Sequence, residues 1–254
     1  LVCTRPFRSP HHTMSPASLV GGGSVPMPGE ISLAHNGILF LDELPEFPKS
    51  VTDALRQPLE DGQVTVTRAA GRFTYPASFM LVCAMNPCKC GYLGHPTREC
   101  SCKPAEVRKY LSQISGPLLD RIDIQIEVPS VSYEDMSKKE VGESSAVIRE
   151  RVCKAREFAL ERFRRACESP DSDLAMIYKN AEMGPRHIRR FCELDKSASD
   201  LLKVAYDRLG LSARGYDRLV RVARTIADLA GSENIAVDHI AEAIRYRTLD
   251  KKYW

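Results

Sequence analysis

Gly37-Ile38-Leu39-Phe40-Leu41-Asp42-Glu43 decides the reading of this chain: an apolar run that stops abruptly at two adjacent carboxylates. Bounded by Asn36-Gly37 and Pro45, the run predicts a buried strand of a parallel sheet. Ligands of open α/β sheets bind at the carboxyl ends of strands, where Asp42 and Glu43 would emerge. Two acids there suit nucleoside triphosphate hydrolysis, one serving Mg2+ and the other polarising the attacking water. The plain alternative is a strand that happens to end in an acidic loop.

Working outward, the 254 residues contain no Gly-Lys-Ser or Gly-Lys-Thr, so no phosphate-cradling loop of the GxxxxGK[ST] kind is present in this sequence. Gly21-Gly22-Gly23 is a decoy, followed by Ser24-Val25-Pro26 with no lysine nearby. The chain opens on Leu1 and reads as a piece of a longer protein, cut downstream of such a loop. Residues 1–36, rich in Pro, Gly and Ser, are expected to be irregular with a short helix, packed on the sheet rather than forming it.

Downstream, Val51, Ala54, Leu55 and Leu59 fall at helical spacing within Lys49–Glu60, interrupted at Pro58,. Val64-Thr65-Val66-Thr67 and Arg72-Phe73-Thr74-Tyr75 flank Ala69-Ala70-Gly71, which predicts a β-hairpin. Phe79 to Ala84 predicts a second buried strand ending at Met85-Asn86-Pro87. A helix over Ala105–Ile114 and a strand over Ile122–Val128 follow. Past Ser130 the pattern becomes helical: Ser144–Ala166, with Ile148, Val152, Ala155 and Ala159 on one face; then Ser197–Leu209, Arg214–Ala230 and Val237–Arg247. Leu219, Val222, Ile226 and Leu229 supply the expected core face of Arg214–Ala230, and short turns between these helices suit a compact bundle. The expected domains are 1–130, an α/β core, and 146–254, all helical, joined by a linker at 131–145.

Composition sets the setting. Hydrophobic content of 43% and charged content of 27% are ordinary for a globular protein. A formal charge of +3 is too small to demand a nucleic-acid partner. No apolar run approaches the ~18 residues of a membrane span and no signal-peptide pattern opens the chain. Nine cysteines, an odd number, fit a reduced, cytoplasmic setting better than a disulfide scaffold. Four of them form a tight group: Cys88-x-Cys90, nine intervening residues, then Cys100-x-Cys102. Four thiolates can close a tetrahedral zinc site that ties down a loop too small for its own core. Reduced thiols without metal and adventitious disulfides remain alternatives, and His95, between the pairs, is a possible substitute ligand. His11-His12 lacks a third ligand at helical or hairpin spacing and reads as structural.

A strand ending in Asp-Glu, a helix, a hairpin, a strand ending in Asn, then Asp-Arg and a helical domain resembles an AAA+ ATPase. More narrowly, the chain resembles the magnesium-chelatase-like branch and its ComM/YifB-type bacterial proteins. The residues that carry this are Arg5-Pro6-Phe7-Arg8-Ser9-Pro10-His11-His12, Gly37 to Phe47 and Asn86-Pro87-Cys88-Lys89-Cys90-Gly91. Ser115 to Asp123 and Ser212-Ala213-Arg214-Gly215-Tyr216-Asp217-Arg218 complete them. The resemblance implies a partial αβα sandwich with a parallel sheet and a hairpin insertion, then an all-helical lid. It implies ATP and Mg2+ as cofactors, Asp42 as the Walker B aspartate serving Mg2+ and Glu43 as the base orienting water. Asn86 becomes sensor 1, bridging that water and the γ-phosphate, although a simple turn before Pro87 would also explain it.

On the same resemblance Arg121 is the arginine finger offered to a neighbouring subunit, against a local salt bridge to Asp120 or Asp123. Arg214 is sensor 2, reaching the γ-phosphate from a lid helix rich in other arginines. Arg68 and Arg72 on the hairpin would contact the backbone of a translocating strand, against a mere solubilising role. The whole implies a hexameric motor acting on forked or branched DNA during natural transformation, with these 254 residues inactive as an ATPase by themselves. The rival readings are a magnesium chelatase subunit inserting Mg2+ into a porphyrin, and a zinc-stabilised DNA-binding module with vestigial ATPase parts.

Overall fold

The computed structural model describes residues 4–23, 26–68, 71–131, 133, 137, 142–168 and 174–247. The chain divides between Ile122 and Asp123 into two compact units. The first is built on a three-stranded parallel sheet, with β4 (Ile38–Leu41) between β1 (Phe7–Arg8) and β7 (Met80–Cys83). Phe7 pairs with Ile38, and Leu41 with Cys83. The opening segment was expected only to pack on the sheet, yet Phe7–Arg8 is one of its strands. Gly37 explains how: a Cβ there would meet the Pro6 carbonyl oxygen at 2.0 Å, and that oxygen accepts from the Ile38 N–H at 2.9 Å. Only a residue without a side chain lets the two backbones come this close.

Between these strands lie α1 (Pro16–Val20), a small ladder of β2 (Gly21–Gly22) with β3 (Met27–Pro28), and α2 (Glu30–Leu33). After β4 come α3 (Lys49–Ala54) and α4 (Arg56–Asp61), then β5 (Gln63–Arg68) and β6 (Gly71–Pro76). The helical stretch breaks at Leu55, three residues before Pro58, because proline's ring disfavours the preceding turn. β5 and β6 form the expected antiparallel hairpin, Val66 opposite Phe73 and Thr67 opposite Arg72; residues 69 and 70 of its turn lie outside the described residues. Leu39, Leu41, Phe47, Val51, Leu55, Val64, Val66 and Leu118 share one buried core. α5 (Pro104–Leu111) and α6 (Gly116–Leu119) complete the unit.

The second unit is helical: α7 (Ser145–Glu168), α8 (Pro185–Phe191), α9 (Lys196–Leu209), α10 (Ala213–Leu229) and α11 (Val237–Arg245). α10 is central, packed on α7, α8 and α11. Its buried face is Leu219, Val220, Ala223 and Ala227, with Arg224 and Asp228 among them. Leu219 is buried as the sequence expected, and Val222 and Ile226 pack partly buried against this core, but the sequence placed the face one residue too early, and Leu229 is exposed. On α7 the contact begins only at Ala155, Ala159 and Phe163, whereas Ile148 and Val152 are exposed. Asp195 and Ser212 cap α9 and α10 by accepting from the Ala198 and Gly215 N–H groups at 2.7 and 3.0 Å,.

The strand expected over Ile122–Val128 is not formed among the described residues. Ile124, Ile126 and Val128 alternate as a strand would but are exposed; alternation becomes a strand only where a neighbour supplies the ladder. Most of the expected linker 131–145 lies outside the described residues, as do 248–254. Among the described residues no helix is long and apolar enough to cross a membrane.

Candidate functional site

Parallel pairing of β4 with β7 brings the two candidate strand ends to one edge of the sheet. Beyond the ladder the backbones stay joined: the Ala84 N–H donates to the Leu41 carbonyl and the Leu44 N–H to the Ala84 carbonyl, both at 3.0 Å. Asp42 and Glu43 therefore leave one strand beside the path that leads to Asn86 from the other. All three side chains are exposed. The turn is tight: Glu43 sits at φ 53°, one of two described non-glycine residues with positive φ, and its N–H donates to Asp42 Oδ1 at 2.9 Å. Such geometry costs free energy in a residue with a Cβ and is held by its surroundings.

Two residues that sequence reasoning left out join this edge. His12 Nδ1 lies 3.2 Å from Glu43 Oε2, its ring tilted by 33° against that of His11 and edge-on to Phe47. One member of the pair read as merely structural, His12, thus contacts the candidate base. Tyr110, buried on α5, has its hydroxyl pushed up to about 12, first by burial and then by the charges of Glu46, Cys88 and Glu43, against a hydrogen bond with the Asn86 backbone. Neither contact had a sequence signal, since His12 and Tyr110 reach the site across separations that no motif spans.

Arg121 stands just past α6, where its Nη1 donates to the Pro117 carbonyl at 2.7 Å. It also pairs with Glu60 on α4, an acid the sequence did not nominate. Asp123 pairs instead with Arg218 at 3.0 Å, within the helical unit. Arg214 is the second residue of α10 and exposed. On the hairpin, the Arg68 backbone pairs with Gly71 and Arg72 is exposed. Thr65 and Thr74 bridge the strands through their hydroxyls at 3.1 Å.

Cys88, Cys90, Cys100 and Cys102 converge, with all four Sγ atoms within 4.8 Å of one another. Cys88–Cys90, Cys90–Cys100 and Cys88–Cys100 are separated by 3.4, 3.5 and 3.6 Å. Those spacings exceed a disulfide bond of ~2.05 Å. They lie near the ~3.8 Å edge of a tetrahedron whose centre is ~2.3 Å from each sulfur, the zinc–thiolate distance. The Cys90 thiol is pulled down to about 5, chiefly by the Tyr92 backbone N–H. Cys100 is pushed up to about 12: a backbone bond with Cys102 favours its thiolate, but desolvation and the neighbouring Cys90 and Cys88 outweigh it. His95 is outside the cluster; its Nδ1 accepts from the Thr97 and Arg98 N–H groups at 3.2 and 3.1 Å and shapes the loop.

Two family models match the chain. The one described as magnesium chelatase, subunit ChlI, covers residues 1–136, and its C-terminal companion covers residues 142–247. The competence protein ComM of Haemophilus influenzae is 46% identical over 247 residues, 96% of this chain and 45% of its own length. YifB of Escherichia coli is 46% identical over 249 residues, 97% of this chain and 46% of its own. The protein Mb2921c of Mycobacterium bovis is 42% identical over 248 residues, 97% of this chain and 47% of its own. The chain spans about half the length of the curated relatives it matches.

Proposed function

This chain belongs to the magnesium chelatase ChlI family as a protein of the ComM/YifB type, and from that premise we propose that it serves an ATP-driven motor acting on DNA. The carrying observation is the shared edge at the ends of β4 and β7, where Asp42, Glu43 and the route to Asn86 come together. In this reading Asp42 serves Mg2+, Glu43 takes the proton of the attacking water, and Asn86 orients that water against the γ-phosphate. Mg2+ supplies charge neutralisation on the phosphates when bound.

Arg121 is the finger residue that stabilises charge on the phosphoryl group in a neighbouring subunit of a hexameric ring, released from Glu60 to do so. Arg214 reaches the γ-phosphate from its lid helix. Arg68 and Arg72 grip the phosphates of forked or branched DNA without reading its sequence. A relative's name as a competence protein supports DNA as the substrate, and the absence of a Gly-Lys-Ser/Thr loop from these 254 residues supports a separate source for the phosphate cradle. Structural zinc at the four cysteines and a cytoplasmic setting complete the reading.

The description of the matching family model favours one rival, a chelatase subunit that inserts Mg2+ into a porphyrin. The full-length protein's ATPase decides between them. Stimulation by branched DNA is expected, while stimulation only by a chelatase partner would transfer the assignment to the rival. The 254-residue chain alone is expected to show no turnover.

A further inference from the structure

We propose that a zinc ion held by Cys88, Cys90, Cys100 and Cys102 is the device that positions Asn86 and Tyr110 at the edge carrying Asp42 and Glu43. The loop that carries these cysteines cannot order itself. Between Cys83, the end of β7, and Pro104, the start of α5, there is no strand or helix, and Cys88 is its single buried side chain. A stretch this long and this exposed buries too little apolar surface to offset its conformational entropy. Local turns give it partial shape: the Gly91 N–H donates to the Cys88 carbonyl at 3.0 Å, the His95 N–H to the Tyr92 carbonyl at 3.1 Å, and Arg98 to the Tyr92 hydroxyl at 2.7 Å. None of these bonds joins the loop's two ends; the four sulfurs do.

Their placement makes the closure consequential. The first Cys-x-Cys begins two residues after Asn86, and the second ends two residues before α5. Gly91, at φ 82°, lies beside the sensor side chain, where a Cβ would stand 4.0 Å from Asn86 Cγ, at the edge of ordinary van der Waals contact. Tyr110 projects from α5 to the Asn86 backbone. Closing the four thiols on one cation therefore fixes the exit of β7, the loop under Asn86 and the start of the helix that carries Tyr110. The donor set selects a soft cation that prefers tetrahedral sulfur, and Zn2+ fits best. Binding displaces the thiol protons to solvent, leaves four thiolates on the metal and changes no oxidation state.

This role rests on the reading of Asn86 as the residue that meets water and γ-phosphate, so the test separates the two. The full-length protein is purified without chelator, its metal content measured, and Zn2+ replaced by Co2+, whose visible bands report a tetrahedral thiolate shell. About one zinc per chain is expected, with Co2+ bands that shift when Mg2+ and a non-hydrolysable ATP analogue bind. The shift should vanish in Asn86→Ala and shrink in Tyr110→Phe while the analogue still binds. Cys102→Ser should lower kcat about tenfold with little change in KM. Should that variant not fold, the Co2+ bands of the unsubstituted protein and of Asn86→Ala decide the matter. Metal-free protein with undiminished kcat, or Co2+ bands indifferent to a bound analogue, overturns the positioning role. Failure to bind the analogue at all overturns the reading of the nucleotide site, and this inference with it.

Discussion

Glu43 carries two burdens at once, a left-handed backbone at φ 53° and a contact with His12 at 3.2 Å. Replacing it with Gln keeps the size and the backbone demand and removes only the basicity. Glu43→Gln in the full-length protein should therefore lower kcat by roughly 100-fold or more, with nucleotide binding retained in an equilibrium assay. Unchanged turnover would remove Glu43 from the mechanism. A different residue, Asp228, shows what a buried charge does for the fold. It accepts from Asn180 Nδ2 at 2.7 Å, from Arg162 Nη2 at 2.9 Å and from Arg224 Nε at 3.0 Å. Asp228 and Arg224 are almost wholly buried. Removing one member strands the others, so Asp228→Ala should destabilise the helical unit by about 3–5 kcal/mol in denaturant titration. A loss below about 1 kcal/mol would mean water reaches the network.

At the scale of elements, the hairpin and the central helix give opposite lessons about charge. Arg72 is exposed on β6 opposite Thr67, where truncation disturbs little packing. If Arg72 grips a DNA phosphate, Arg72→Ala weakens binding equally across sequences. It also reduces the slope of log affinity against log salt by about one. An unchanged slope would leave the arginine a solubilising residue. Helix α10, by contrast, buries Arg224 and Asp228 in the same face as Leu219 and Ala223. Its apolar pattern pointed to Val222, Ile226 and Leu229 because polar residues were assigned to solvent. The network with Arg162 and Asn180 rotates the true face by about a residue, and a period-3.6 reading has no means of anticipating that.

For the molecule as a whole, two separate cores stand on either side of Ile122 and Asp123. The helical unit's core contains Phe163, Ile188, Leu202, Leu219 and Ile240, all supplied from within 142–247. That segment made alone is expected to unfold in one cooperative thermal transition. A broad, non-cooperative melt would show that its core depends on the rest of the chain. Several elements were legible beforehand because their signals are local. Four apolar residues before Asp42 read as a buried strand of a parallel sheet, the alternation around Ala69-Ala70-Gly71 read as a hairpin, and four helices after Ser144 followed their own spacing, whereas the short helix Pro185–Phe191 was not read. The strand at Phe7–Arg8 was illegible because two residues carry no period. The strand expected at Ile122–Val128 misled because alternation says nothing about whether a ladder partner lies alongside.

The sequence by itself determined which residue types are available and in what order. It placed the acidic pair at a strand end, an asparagine after a second apolar strand, two Cys-x-Cys pairs and an arginine after Leu118-Leu119-Asp120, because motif and periodicity act over a few residues. Only the tertiary structure decided which of them meet. It set His12 against Glu43, Tyr110 against Asn86 and Arg121 against Glu60, and it drew four sulfurs within 4.8 Å. Those pairings depend on chain reversals, close backbone approaches such as Gly37 on Pro6, and shared burial. The free energy of each contact is a property of distance in space, which spacing along the chain does not encode.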